Sequence, residues 1–470
     1  MRFLQNGVCW PKLLAARVAA SSDASNEVGS TVNIMHDVTK LLLAVFPLSV
    51  LSARGQLAPL TPNRDTALQL PEGAGKQAVE RTCFLCHGFG QFTRVNLDRP
   101  DWDHIISVMV AWGAPLRKEE IPVVIDYLAT NFKDQGKGRG VVIPGNIDVA
   151  IKEWDLPTRA ALPHDSLYST WSGSVWYTGQ FANVLGRFDP KTQEFEDYHL
   201  KRPRSEPYSL VEDKEGSIWF DSHVNGFIGR LDPKTGDVKE YPLPDPKLVL
   251  YDIAIDQKGI LWFAAQHEGA TRRPGLAQSS TSKADGSKIG RLDPKTGEIK
   301  FADLPGRNAA AYGIVVNSKG IPFFSEVDTP RLGSVDPDAM QVTKYLLPNP
   351  GIGTRRLALT RDDVMWYTDS RRGYLGQFDP RTGRFSEWPS PSGPRSYPYG
   401  ITVVGNVIWY AEAESKPNML VRFDPKTEKF QTWPVKAGGG IKNISPQPDG
   451  NLWLTRPLTN GISYVEIKQK

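Results

Sequence analysis

Beyond about residue 150 the chain alternates short apolar runs with polar turns, and the alternation recurs at a nearly fixed interval. In each unit an apolar–aromatic couplet follows a Gly or Asp turn, its first aromatic being Trp176, Trp219, Trp262, Phe323, Trp366, Trp409 and Trp453. The spacings between these are 43, 43, 61, 43, 43 and 44 residues, the long one holding a polar insertion near 267–287. Most couplets are followed by a variant of Gly-Arg-Phe-Asp-Pro-Lys-Thr, first at Gly186–Thr192 and then with its Asp at 232, 293, 336, 379 and 424. A period of this length with several short strands per unit is that of a β-propeller rather than a helical solenoid. Seven couplets predict seven four-stranded blades over 149–470. The last unit lacks an outer strand, whereas residues 149–157, just before the first blade, carry the outer-strand pattern. Placed in blade seven, that segment closes the ring and leaves no open edge.

Upstream the period becomes helical. Residues 74–82 can form one helix. A run opening at Pro100 sets Ile105, Val108, Met109 and Trp112 at helical spacing, and Lys118 to Phe132 reads as a third helix with Pro122 in its first turn. The predicted fold class is therefore multidomain. A small all-α domain occupies 70–135, a Gly/Lys-rich linker 136–148, and an all-β seven-bladed propeller the rest.

Cys83-Phe84-Leu85-Cys86-His87 lies in the helical domain. C-x-x-C-H is the attachment pattern of c-type haem. Two thiols at this spacing can each form a thioether to the haem edge, and the adjacent imidazole then reaches the iron. A zinc site would need two further ligands, and the one other cysteine, Cys9, lies far upstream. One covalent haem c on Cys83 and Cys86, with His87 as axial iron ligand, is the expectation. Three helices around this motif resemble a minimal class I cytochrome c. That resemblance implies electron transfer and a second axial ligand, usually a methionine sulfur. Met109 is the domain's only methionine and takes that role; His104 is the alternative.

Residues 1–55 read as absent from the mature chain. Met35–Lys40 forms a short basic n-region, Leu41–Ser52 an apolar h-region, and Ala53 and Gly55 offer small residues for cleavage. This signal at about 35–55 predicts translation from Met35 and export to a bacterial periplasm. The apolar run falls short of the ~20 residues that span a bilayer, so no stable membrane span is expected. Net charge is +4 with Lys and Arg dispersed, which excludes a nucleic-acid patch.

The propeller repeats resemble those of the streptogramin B (virginiamycin B) lyase family. Tyr312-Gly313-Ile314, Gly320, Phe323–Glu326 and Leu332-Gly333 follow that family's blade plan, as do Tyr399-Gly400-Ile401 and Trp409–Glu412. The resemblance covers roughly 150–470. It implies a C–O lyase in which two histidines on neighbouring inner strands, with two glutamates, hold magnesium and supply the base. This chain carries tyrosines where those histidines would stand. Glu206 keeps the first glutamate of its blade but Ser222 fills the second place; Glu326 keeps the second of its blade but Ala310 fills the first. His164, His223 and His267 lie near the mouth without forming the neighbouring pair.

The recurring Trp, Gly-Arg and Asp-Pro belong to packing and turns, because one active site has no use for six copies. Function falls on the positions that vary. Eleven residues before each aromatic stand Asp165, Tyr208, Tyr251, Tyr312, Arg355, Pro398 and Lys442; three after stand Gly179, Ser222, Ala265, Glu326, Asp369, Glu412 and Arg456. One mouth of the channel should therefore carry tyrosines, basic groups and carboxylates, a funnel for a polar or aromatic small molecule. Tyr312, Glu326, Arg355, Asp369 and Glu412 are the candidate catalytic residues. The three carboxylates could share a divalent cation, against the plainer reading as solvated rim charge. Three functions follow as expectations. The first is a periplasmic haem protein whose propeller binds a small-molecule substrate or redox partner, as a dehydrogenase would. The second is a C–O lyase with an accessory cytochrome domain. The third is a non-catalytic docking propeller.

Overall fold

Each aromatic couplet forms the second strand of a four-stranded antiparallel sheet, and seven such sheets make up the β region of this computed structural model. The structure describes residues 70–85, 98–111, 113–132, 138–267, 286–306, 309–327 and 329–469. In blades one to six the four strands follow in chain order from channel to rim. Blade five, for example, runs Thr354–Leu359, Met365–Asp369, Tyr374–Asp379 and Arg384–Pro389. Blade seven is built from both ends of the propeller. Its order is Ile147–Asp155 outermost, then Gly461–Gln469, Leu452–Arg456 and Ile444–Pro446. Nine residue pairs from Ile147↔Gln469 to Asp155↔Gly461 close the ring.

The repeated residues have local physical reasons. Gly186, Gly229, Gly290, Gly333 and Gly376 each lie opposite the second aromatic of their blade's couplet: Tyr177, Phe220, Phe263, Phe324 and Tyr367. That ring covers the glycine. A Cβ on Gly376 would sit 2.0 Å from Tyr367 Cζ, so no larger residue fits without displacing the ring. The Asp of each Asp-Pro turn accepts a hydrogen bond from the backbone N–H two residues on, at 2.8 Å for Asp189 and Lys191 and 2.9 Å for Asp232 and Lys234. The couplet tryptophans are buried between neighbouring blades.

The amino-terminal segment is helical: α1 (Lys76–Thr82), a 3-10 turn (Cys83–Leu85), α2 (Arg99–Ala111) and α3 (Glu120–Asn131). Val79, Trp102, Ile106, Val124 and Leu128 form its core. Leu458, in the turn joining the second and third strands of blade seven, packs against that core. The connection to the propeller runs along blade six, where Val141 N–H donates to Ser392 Oγ (3.0 Å) and Gly140 N–H to the Lys416 carbonyl (3.0 Å). These loops lie at the end of the ring where inner strands begin and second strands end, so the helices sit on the rim of that mouth. No described helix is long and apolar enough to cross a membrane.

Candidate functional site

The channel wall is shaped by a β-bulge recurring in the inner strands. In blade five Thr354 pairs with Asp369 and Leu357 with Tyr367, so Arg355 and Arg356 together oppose Thr368 alone. The same irregularity falls on His164/Asp165, Tyr208/Ser209, Tyr251, Tyr312/Gly313 and Tyr399/Gly400. A bulge re-aims side chains that strict alternation would send to opposite faces. Here it yields two tiers of residues, one toward the mouth and one deeper.

The mouth tier is aromatic. The His164 ring stacks on Tyr208 at 3.6 Å, and Tyr208 on His223 at 4.6 Å. Tyr251 and Tyr312 lie 5.3 Å apart, and Tyr397 stacks on Tyr399 at 6.0 Å. Tyr208 and Tyr312 share a hydroxyl hydrogen bond of 3.0 Å, and the Tyr312 hydroxyl also meets that of Tyr399. Burial, reinforced by the neighbouring phenols, holds Tyr208 and Tyr399 well above the ordinary phenol range. Burial, with Arg356 and Lys442 adding to it, keeps His164 neutral. Tyr397 behaves differently. Burial pushes it up, but the charges of Arg355 and Lys442 outweigh that and bring it below the usual value.

The deeper tier is ionic. Arg356 donates from Nη1 to Asp252 Oδ1 (2.6 Å) and from Nη2 to Asp165 Oδ1 (2.7 Å), with His164 Nδ1 at 3.3 Å from Nη2. Burial lifts Asp165 and Asp252 to about 6 despite the guanidinium beside them. Asp221, accepting a 2.6 Å hydrogen bond from Ser209 N–H, is lifted to about 8.

The sequence-selected residues divide. Tyr208, Tyr251, Tyr312 and Arg355 do gather at the mouth. Glu326, Asp369 and Glu412 do not: all three are fully buried, Glu326 and Asp369 held inside their own blades and Glu412 by the connection arriving from blade five. Glu326 pairs with Lys344 (2.8 Å), Asp369 with Arg372 (2.6 Å), and Glu412 accepts from Ser390 Oγ (2.6 Å) and Ser392 N–H (2.8 Å). They are neither solvated rim charges nor a joint cation site. Among the described residues, no group of three or more His, Cys, Asp or Glu side chains is placed to hold a metal ion. With Arg355 and Lys442 at the mouth, the residues present do not fit a magnesium ion there. Arg356, Asp252, Asp221 and Tyr397 were not singled out from the sequence. The available signal was their place one residue from a chosen position, or, for Asp221, two after Trp219.

Cys86, His87 and the signal segment lie outside the described residues, as does the side chain of His104. Of the residues expected at the haem, Cys83 and Met109 are described. Cys83 begins the turn that closes α1 and packs against the helical core together with Ile105. Met109 follows Ile105 by one helical turn on α2 and is half-buried.

Comparison with known proteins agrees with this architecture. The Virginiamycin B lyase family model matches residues 145–273 and 277–470. A streptogramin B lyase structure is 23% identical, with a TM-score of 0.59, over 68% of this chain and 98% of its own. A catalytically inactive virginiamycin B lyase from Staphylococcus aureus with quinupristin is 22% identical, with a TM-score of 0.57, over 68% and 99%. Hydrazine synthase of Kuenenia stuttgartiensis is 11% identical, with a TM-score of 0.52, over 67% and 97%. No curated protein sequence matches significantly. At these identities the solved structures speak to the fold, a seven-bladed propeller, while the family model covers well over half the residues: the chain belongs to the Virginiamycin B lyase family.

Proposed function

We propose that this chain is an exported, periplasmic c-type haem protein for electron transfer whose propeller takes a small-molecule substrate at its mouth. The observation that carries the reading is the C-x-x-C-H of the sequence at Cys83–His87, whose first cysteine follows α1 of the helical segment. Cys83 and Cys86 would hold the haem, and His87 and Met109 would bind its iron. The haem would supply a one-electron acceptor. The propeller's own residues bind and orient: the tyrosine hydroxyls donate hydrogen bonds, and the stacked rings shield the ligand from water. The lyase reading is less well served, since elimination needs a base near neutral pH and a metal. The tyrosines Tyr208 and Tyr399 titrate too high and His164 too low for that base.

Absorption spectra of the full chain, taken before and after adding candidate small-molecule reductants, test the reading. Substrate-driven reduction that is weakened by Tyr312→Phe supports it. Turnover that needs a divalent cation and leaves the haem oxidised would replace it with the lyase.

A further inference from the structure

Two cations at the mouth, Arg355 and Lys442, share the same pair of rings. Arg355 lies 5.7 Å from the Tyr397 ring centre and 5.8 Å from that of Tyr399. Lys442 lies 5.3 and 4.2 Å from the same two centres. Both cations are half-buried. Neither forms an ion pair among the described residues, in contrast to Arg356 just below, which meets two carboxylates. Arg355 donates from Nε to Ser370 Oγ (3.1 Å) and from Nη2 to the Tyr397 hydroxyl (2.9 Å), which leaves Nη1 without a partner among the described residues. Among the described residues the Lys442 ammonium meets only the ring faces. Glu414 acts on Tyr397 and raises it.

Two like charges that share one pair of rings repel, more strongly as the site loses water. The rings relieve only part of that. What is missing is a negative group between them, and the lowered Tyr397 phenol points the same way. We infer that the mouth binds an aromatic monocarboxylate, its carboxylate between Arg355 and Lys442 and its ring against Tyr251 and Tyr312. The Arg355 Nη1 donor and the Lys442 ammonium would supply charge-assisted hydrogen bonds, the strong kind for such a group. This rests on the mouth being a small-molecule site but not on the haem.

Titration calorimetry of the full chain with 4-hydroxybenzoate, its methyl ester and phenyl phosphate tests the inference. The ester keeps the ring and removes the charge, so the comparison is made on the native protein. The acid should bind at least about tenfold more tightly than the ester. Lys442→Met, which keeps the apolar stem, should abolish that preference while leaving the near-ultraviolet circular dichroism unchanged. Equal binding of acid and ester would overturn the charge argument and leave the mouth a small-molecule site. Tighter binding of phenyl phosphate would overturn the carboxylate class. No binding of any of the three would overturn both the inference and the reading of the mouth.

Discussion

Arg356 of blade five reaches across the channel to Asp165 of blade one, Nη2 to Oδ1 at 2.7 Å, while its other arm holds Asp252 of blade three at 2.6 Å. One guanidinium thus ties together three blades that are not neighbours in the ring. All three side chains are almost wholly buried. Taking such charges from water is costly, and the arrangement holds because each is paired.

Removing the hub should therefore cost more than removing an exposed pair. Arg356→Ala leaves two buried carboxylates without their partner and should lower stability by about 3–5 kcal/mol in urea unfolding. Adding Asp165→Asn and Asp252→Asn to Arg356→Met should recover much of the loss, since the orphaned charges go with it. A loss under about 1 kcal/mol for Arg356→Ala would mean that water reaches the channel centre.

The fold of this sequence was legible where the chemistry is local and repeated. Gly376 under Tyr367 and the Asp189 turn are written into a 43-residue period, and Ile147–Asp155 carries the outer-strand alternation. The site was legible only to within a residue. Strict counting from each aromatic found Tyr208, Tyr251, Tyr312 and Arg355, but gave Asp165 where His164 faces the mouth and Pro398 where Tyr399 does. Bulges and turn length shift that count. The burial of Glu326, Asp369 and Glu412 was not legible, because their partners Lys344, Arg372 and Ser392 sit at positions that differ from blade to blade.

Asp221 should give the protein a pH-dependent stability of definite sign. Burial, with Asp252 and Asp165 near it, raises its folded value to about 8, against the opposing Ser209 hydrogen bond. Between about pH 4 and 8 the unfolded chain has released a proton that the folded chain retains, so stability falls as pH rises through this window. Below it the contribution is fully present. Asp221→Asn keeps the acceptor for Ser209 N–H and removes the titration. Melting temperatures from pH 5 to 8.5 should fall less steeply in this variant than in the unaltered protein; identical slopes would place the titration elsewhere.

Family membership alone would assign ring-opening of streptogramin-type depsipeptides. The mouth lacks a metal cluster among the described residues and carries Tyr251 and Tyr312 on neighbouring inner strands. We expect no magnesium-dependent opening by the propeller. Turnover that is lost with a chelator and again with Glu326→Gln would show that a metal assembles there after all.

The most direct test of the central claim is covalent attachment of haem. The full chain, produced by export in a bacterium that matures c-type cytochromes, should retain one haem through acid–acetone extraction. The Cys83→Ala, Cys86→Ala double variant should lose it. A native chain whose haem is extracted, or a double variant that still holds it covalently, would contradict the account.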